Sequence, residues 1–359
     1  MRGQVLRIAT PAGERSLGID GEGRWVEPGA AEAVDLTRWV AVPGLVDAHT
    51  HLAAGSIGEL LDQTRRRDRH VARHAAEQLA GGVLLVGDKG TDDDETVGFT
   101  MALDPAERPE VELAGALLAT AGGYYPGIAT EIEGSAVGDH VDRYGPEGVR
   151  WVKLIGDWPR KGRGAVPNFG EAELAAAVDR AHRRGLRVAI HTCAPEVPGM
   201  AVRAGVDSIE HGLFLTEDDI AMLGERGGAW VPTVVAMEGL AAQLGVESSG
   251  GMLIREGLAN VRRLLAPAVV AGVRVLAGTD LALPHGAVVA EAHRLVGYGL
   301  PEPTAIAAMV DTGRDAFGRP GLTVGEPADL LLVDLPGGLV ELGNPRLVLR
   351  YGRVVVDRR

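Results

Sequence analysis

Between residues 41 and 280 the chain repeats one pattern eight times: a short apolar run of strand length, followed in most cases by a helical stretch. The runs are AVPGLVDAHTH, GVLLVGD, VELAGALLAT, VRWVKLIG, LRVAIHT, DSIEHG, AWVPTV and VRVLAGTD. Apolar runs of this length bounded by Gly and turn residues read as strands. The helical stretches carry their own signals. GEAELAAAVDRAHRRG places Leu174, Val178 and Ala181 on one face and stops at Gly185. TEDDIAMLGERGG opens with Thr216 three residues before Asp219, a capping-box spacing. Eight strand–helix units predict an α/β chain folded as a (β/α)8 TIM barrel. A doubly wound sheet is the competing arrangement, and the first unit lacks the G-x-G-x-x-G turn that would favour it.

The two ends differ from this middle. Residues 1–41 and 322–359 are short β-like pieces broken by turns, including QVLRIAT, ADLLLVD and LVLRYGRVVV. Neither end could bury a face alone. We therefore expect one small β-sandwich domain assembled from 1–41 and 322–359 around a barrel spanning 42–321. A single cysteine, Cys193, excludes an intrachain disulfide. Together with a start that has no apolar signal-like segment, it predicts a cytoplasmic, reducing location. No apolar run approaches the roughly 18 residues of a membrane span. A formal charge of −13 argues against a nucleic-acid surface. The expected partner is a small-molecule substrate, and the sequence leaves a homo-oligomer open.

Metal-competent residues sit at the C-terminal ends of these strands: His49 and His51 on the first, Lys153 within the fourth, His191 on the fifth, His211 on the sixth and Asp280 on the eighth. In a barrel those ends meet around one mouth. His49 and His51 are two apart, so both point to the same face. Several imidazoles and a carboxylate suit zinc or a similar divalent ion. A lone H-x-H is weak, since most histidines are structural. Four of ten histidines ending three strands is a much stronger pattern. Lys153 is one of only three lysines against 33 arginines. Burial inside RWVKLIG would lower its pKa and favour a neutral amine able to add CO2 and become a carbamate. The bland alternative is a lysine whose tip reaches the barrel rim.

VPGLVDAHTHL, the lone fourth-strand Lys153, VAIHT, AGVDSIEHG and LAGTDLALPHG arrive in an order that resembles the amidohydrolase superfamily, and the terminal ADLLLVD and YGRVVV resemble its flanking β segments. AGVDSIEHGLFLTEDDIAMLGERG and TDLALPHG are most similar to the imidazolonepropionase-like branch, and Lys153 points to its binuclear, prolidase-like members. The resemblance implies two divalent metal ions per chain, zinc by default with manganese or cobalt able to serve. His49, His51 and Asp280 would hold one, His191 and His211 the other, with carboxylated Lys153 and a hydroxide bridging them. Asp280 would carry the hydroxide proton to the leaving nitrogen. The implied activity is hydrolysis of an amide or peptide C–N bond. A lactonase, ester or cyclic-amide hydrolase is the alternative, and a catalytically silent scaffold a third reading that the complete ligand set disfavours.

Two departures from the family pattern fall beside the expected mouth. HTCAP carries Cys193 where relatives often have a second histidine, and Gly122-Gly123-Tyr124-Tyr125 replaces a frequent Gly-Gly-His. We expect Cys193 to be a packed small hydrophobe. Tyr124, Tyr125 and His285 are candidate substrate contacts. Arg160, Lys161 and Arg163, in the loop WPRKGRG, are candidate anchors for a substrate carboxylate. That anchor would suit a dipeptide or an N-acyl amino acid. The acidic run Asp92-Asp93-Asp94-Glu95 is expected to face solvent.

Overall fold

The computed structural model describes residues 1–359 apart from 63–66, 92, 93, 144, 146 and 246. Eight parallel strands curl around one axis: Leu45–Thr50, Val83–Asp88, Glu110–Ala119, Val149–Ile155, Arg187–Thr192, Ser208–His211, Ala229–Val231 and Arg274–Val275. Each neighbouring pair in this order is hydrogen-bonded in parallel. The segment after the last strand returns to the first: Ala48 N–H donates to Ala277 O at 2.8 Å, and the Thr279 and Asp280 N–H groups donate to His49 O. This is the architecture of a (β/α)8 barrel, as the eightfold repeat predicts.

The strands are almost wholly buried because both faces are covered, which is why they read as continuous apolar runs rather than alternating ones. Outward-facing Val152, Leu154, Val188 and Ile190 pack with helix residues such as Leu174 and Val178. The inward-facing floor is a separate apolar cluster that includes Val46, Leu85, Trp151, Ala189 and Phe317. The rings of Trp151 and Phe317 meet edge to face at 6.0 Å. The helix signals hold locally. Glu171–Arg183 buries Leu174, Ala177, Val178 and Ala181. Thr216 caps Glu217–Glu225, its hydroxyl accepting from Asp219 N–H while the Asp219 carboxylate takes the Thr216 N–H.

Both termini enter one mixed sheet of seven strands, in the order Arg353–Asp357, Leu347–Arg350, Leu330–Val333, Ala33–Val42, Val5–Thr10, Gly13–Ile19, Trp25–Val26. Strand Ala33–Val42 is the join, antiparallel to Leu330–Val333 and parallel to Val5–Thr10. The sheet has its own core, with Leu6, Ile8, Trp25, Trp39, Leu330 and Leu349. The strand pairing thus gives one continuous sheet where two facing ones were expected. Of the acidic run, Asp92 and Asp93 lie outside the described residues. Asp94 and Glu95 are exposed at the start of helix Glu95–Ala102, as expected. No helix among the described residues is long and apolar enough to cross a membrane.

Candidate metal centre and cavity

The strand ends deliver their side chains to one point. Ligand atoms of His49, His51 and Asp280 lie within 4.8 Å of one another, and those of His191, Cys193 and His211 form a second such group. His211 Nε2 and His191 Nδ1 are 2.9 Å apart, and His211 Nε2 is 3.8 Å from Asp280 Oδ2, so the two groups adjoin. The backbone is bent to achieve this. His211, Thr233 and Asp280, at the ends of three successive strands, have φ of 63°, 44° and 43°. Left-handed non-glycine residues cost energy and cluster where side chains must be aimed. The last strand is only two residues long. The chain leaves it early, and Asp280 is pinned by its own N–H to His49 O and by Thr279, whose hydroxyl donates to Asp47 Oδ2 at 2.6 Å.

The hydrogen bonds fix which imidazole nitrogens are free. His51 Nδ1 lies 2.6 Å from Gly90 O, a group that can only accept, so Nδ1 carries the proton and Nε2 presents a lone pair. His49 Nδ1 likewise faces Glu210 Oε2 at 2.6 Å. Both Nε2 atoms then converge on Asp280 Oδ1, at 3.2 and 3.4 Å. Two lone pairs facing a carboxylate oxygen repel unless a cation lies among them, and imidazoles fixed through their other nitrogen are the usual form of metal-ligating histidine. Burial pushes Asp280 up, but His49, His51 and His211 outweigh it and hold the carboxyl well below the usual range. Burial also keeps His211 neutral by pulling it down to about 3, and it lowers His191 well below its ordinary value. Neutral His191 and His211 beside an ionised Asp280 carboxylate are donors of the kind a divalent ion requires.

Lys153 enters this centre from the fourth strand. Its residue is 2% exposed and its Nζ has no hydrogen-bond partner. Burial draws its pKa down to about 8 although Glu210 acts in the opposite direction. An orphaned buried amine is costly as it stands, and the cost would be relieved if the amine became an anion beside bound cations. The donor set and this amine both fit the two-ion arrangement.

Sequence reasoning passed over two buried carboxylates here, Glu210 and Asp157. Glu210 is fully buried and bridges His49 to Lys89, whose Nζ lies 3.1 Å from Glu210 Oε1. Ser208 donates to the same oxygen at 2.5 Å. Glu210 directly precedes His211 in SIEHG, so its charge beside a strand-end histidine was the available signal. Asp157 follows the fourth strand. Its Oδ2 accepts from Cys193 N–H at 2.8 Å, its Oδ1 has no partner, and burial raises its pKa to about 6.

Above the centre opens a cavity of about 920 Å3. Tyr124 and Tyr125, the candidate substrate contacts, are among its lining residues and pack edge to face on Trp158 at 4.6 and 4.7 Å. Burial raises the Tyr124 pKa further above its ordinary value, so its hydroxyl stays a donor. Arg160, Arg163 and His285, expected as substrate contacts, are not among the lining residues. Arg160 is spent on the fold, its guanidinium donating to Ala121 O, Thr120 Oγ1 and Asn168 Oδ1. Lys161 and Arg163 occupy the exposed turn of the hairpin Asp157–Arg160/Gly164–Pro167. His285 Nε2 donates to Ala54 O at 3.0 Å while its ring stacks on His74 at 4.1 Å. Cys193 is buried, its Sγ 3.9 Å from Met237 Sδ, and burial holds its thiol well above its ordinary pKa. A third histidine–carboxylate group, Glu59, His70 and His74, lies apart from the cavity lining. There the Arg73 guanidinium already supplies the positive charge, 2.8 Å from His74 Nε2 and 3.1 Å from Glu59.

A barrel whose strand ends converge on a metal-capable His/Asp/Lys centre defines a class of hydrolases, and comparison with known proteins agrees. Residues 40–355 match the amidohydrolase family, and the chain belongs to it. It is therefore a hydrolase acting on C–N bonds. It is 35% identical over 346 residues to the uncharacterized protein Rv2915c of Mycobacterium tuberculosis, covering 93% of this chain and 90% of that one. It is 26% identical over 383 residues to the imidazolonepropionase of Salinispora arenicola, covering 91% and 90%. Among solved structures, a Xaa-Pro dipeptidase with bound methionine superposes with a TM-score of 0.78 at 22% identity over 98% of this chain and 99% of that chain. That last likeness is one of fold.

Proposed function

We propose that this chain is a binuclear metal-dependent hydrolase that cleaves an amide C–N bond, with residues 42–321 as its catalytic barrel and 1–41 with 322–359 as a terminal sheet domain. His49, His51 and Asp280 would hold one divalent ion and His191 and His211 the second, with a carboxylated Lys153 between them. Bound there, two such ions supply Lewis acidity and lower the pKa of water towards neutrality. The observation that carries the reading is the convergence of the His49 and His51 lone pairs on Asp280 below the orphaned Lys153 amine.

The chain's own groups supply the remaining steps. Asp280, ionised at neutral pH, accepts the proton of the attacking water. It then delivers that proton to the leaving nitrogen, which could not otherwise depart as an amine. Glu210 holds His49 in one tautomer throughout. The Tyr124 hydroxyl, kept protonated by burial in the cavity lining, would donate to a substrate oxygen, and the tyrosine–tryptophan cluster would shield the reacting carbonyl from bulk water. The carboxylate anchor expected at Arg160 and Arg163 has no counterpart in the lining. The substrate we propose has the amide bond and needs no carboxylate.

The test is metal analysis and amide hydrolysis on the same preparation. We expect close to two divalent ions per chain and turnover of simple anilides. Lys153→Ala should lose one ion and most turnover. Lys153→Arg should not recover them, because a guanidinium stays charged and cannot be carboxylated. Protein that binds no divalent ion and gains no activity from zinc or manganese would refute the proposal.

A further inference from the structure

Away from the metal-capable end the cavity lining is mainly apolar, with Gln243, Ser249 and the tyrosine pair as its neutral polar members. Its roof is two helices that pack on each other, Val234–Leu244 and Ser249–Val270, which contribute Met237, Leu240, Leu253 and Ile254 to the lining. Ile57 and Leu244 also line it and remain 40% and 44% exposed, which gives the chamber an apolar lip. Among the described lining residues there is no arginine and, apart from Lys153, no lysine. The single charged side chain outside the metal-capable set is Asp157, 1% exposed, with an unpartnered Oδ1.

An anion held against the chamber walls, away from the metal-capable end, would lose its hydration with no arginine or further lysine to replace it, and it would face the Asp157 carboxylate at low dielectric. An apolar group of ligand size gains by entering, since a volume of this order suits a drug-sized molecule. We propose that the substrate is an amide whose non-reacting part is a neutral apolar group, a long acyl chain or an aromatic ring without a free carboxylate, and that Asp157 is a specificity determinant excluding carboxylates. The proposal rests on the amide-hydrolase reading above and deepens it. Discrimination of this kind works through the penalty on the wrong substrate as much as through attraction of the right one.

The experiment compares anilides of acetic, hexanoic and decanoic acid, and N-acyl phenylalaninamide with the corresponding free acid, on metal-loaded protein. Binding of phenyl octyl ketone, which has no C–N bond to break, is measured in parallel by calorimetry. We expect kcat/KM to rise about threefold to fourfold per added methylene until the chamber fills, following roughly 0.8 kcal/mol per buried CH2. The neutral amide should exceed the acid by at least tenfold. Leu240→Lys should abolish the chain-length dependence and ketone binding. Asp157→Asn keeps one acceptor oxygen for the Cys193 and Ala194 N–H groups that hold the carboxylate, so a purely structural role would leave the acid-to-amide ratio unmoved. We expect that ratio to narrow at least tenfold. Hydrolysis that favours the acid, or ignores chain length, would overturn the proposal while leaving amide hydrolysis intact. Ketone binding that depends on Leu240 without turnover of any amide would refute the reaction and retain the apolar chamber. Loss of both would refute both.

Discussion

The two ends of the cavity are built from different parts of the fold. The metal-capable end stands on strand termini, where His49 and His51 are each tied through Nδ1 to Glu210 and Gly90 O. The chamber end stands on the helices after the seventh strand and on the hairpin after the fourth. It is lined mainly by side chains that offer shape and area rather than hydrogen bonds. Strands hydrogen-bonded on both sides hold ligand atoms to a fraction of an ångström, while helices in loop positions can be exchanged without disturbing the ring. The contrast teaches that the reaction and the choice of substrate are set in separable places, and mutations should separate them.

The largest effect should come from the metal-capable end. His49→Ala or Asp280→Asn should lower kcat by about a thousandfold or more and remove at least one ion. Ketone binding in the chamber should change little. Parallel metal analysis, kinetics and calorimetry check this. Equal loss of ketone binding would show that the two ends are one unit.

The roof has its own tether. Glu291, fully buried on helix Val288–Gly297, accepts from Val234 N–H at 2.7 Å and Val235 N–H at 3.0 Å, holding the first turn of the roof helix. Burial outweighs those bonds and raises its pKa from 4.5 to about 7. A carboxyl raised on folding contributes stability that is complete below its unfolded pKa and is lost as pH climbs through the folded one. The wild type should therefore lose up to about 3 kcal/mol through this group between roughly pH 4.5 and 7. Glu291→Gln should remove that share of the slope. Denaturant unfolding of both proteins across this range measures it, and identical slopes would contradict the assignment.

The metal-capable end was legible in the sequence and the chamber was not, for a physical reason. A barrel brings every strand terminus to one mouth, so a histidine at the end of VAIHT or SIEHG has its position fixed by topology alone. The eightfold alternation and the capping box at Thr216 were legible on the same ground, being local patterns. Arg160 and Arg163 misled because a loop's charge says nothing about which way it faces. Arg160 turned inward to brace Thr120 and Asn168, and Arg163 stayed at the hairpin turn. The roof residues carried no signal, since Leu240 and Leu253 look like the core of any amphipathic helix. Glu210 was readable only in hindsight, as a charge inside a strand that nothing in the alternation required.

Glu210 sharpens the comparison from the centre outward. It touches no substrate and acts through His49 as a positioning residue. Glu210→Gln keeps its size but removes the charge that holds the His49 Nδ1 proton and leaves Lys89 buried without its partner. Groups that orient a metal-ligating histidine typically matter by 10- to 100-fold in affinity or activity. We expect that loss in metal affinity and in kcat, with KM for the anilides within about twofold of wild type. A change confined to KM would place Glu210 with the chamber instead.

The smallest expected effect is none at all, and it tests the same boundary from outside. Arg163 sits exposed on the hairpin turn and contributes no atom to the cavity lining. If a loop cation steered carboxylates into the mouth, Arg163→Gln would raise KM for N-acyl phenylalanine and leave its amide unchanged. That field would also weaken with salt, since the Debye length falls from about 10 Å at 0.1 M to about 3 Å at 1 M. Because the chamber excludes the carboxylate by its own lining, we expect Arg163→Gln to move neither KM by more than about 1.5-fold at either ionic strength. A selective, salt-sensitive loss for the acid alone would show that selection begins on the hairpin, outside the chamber.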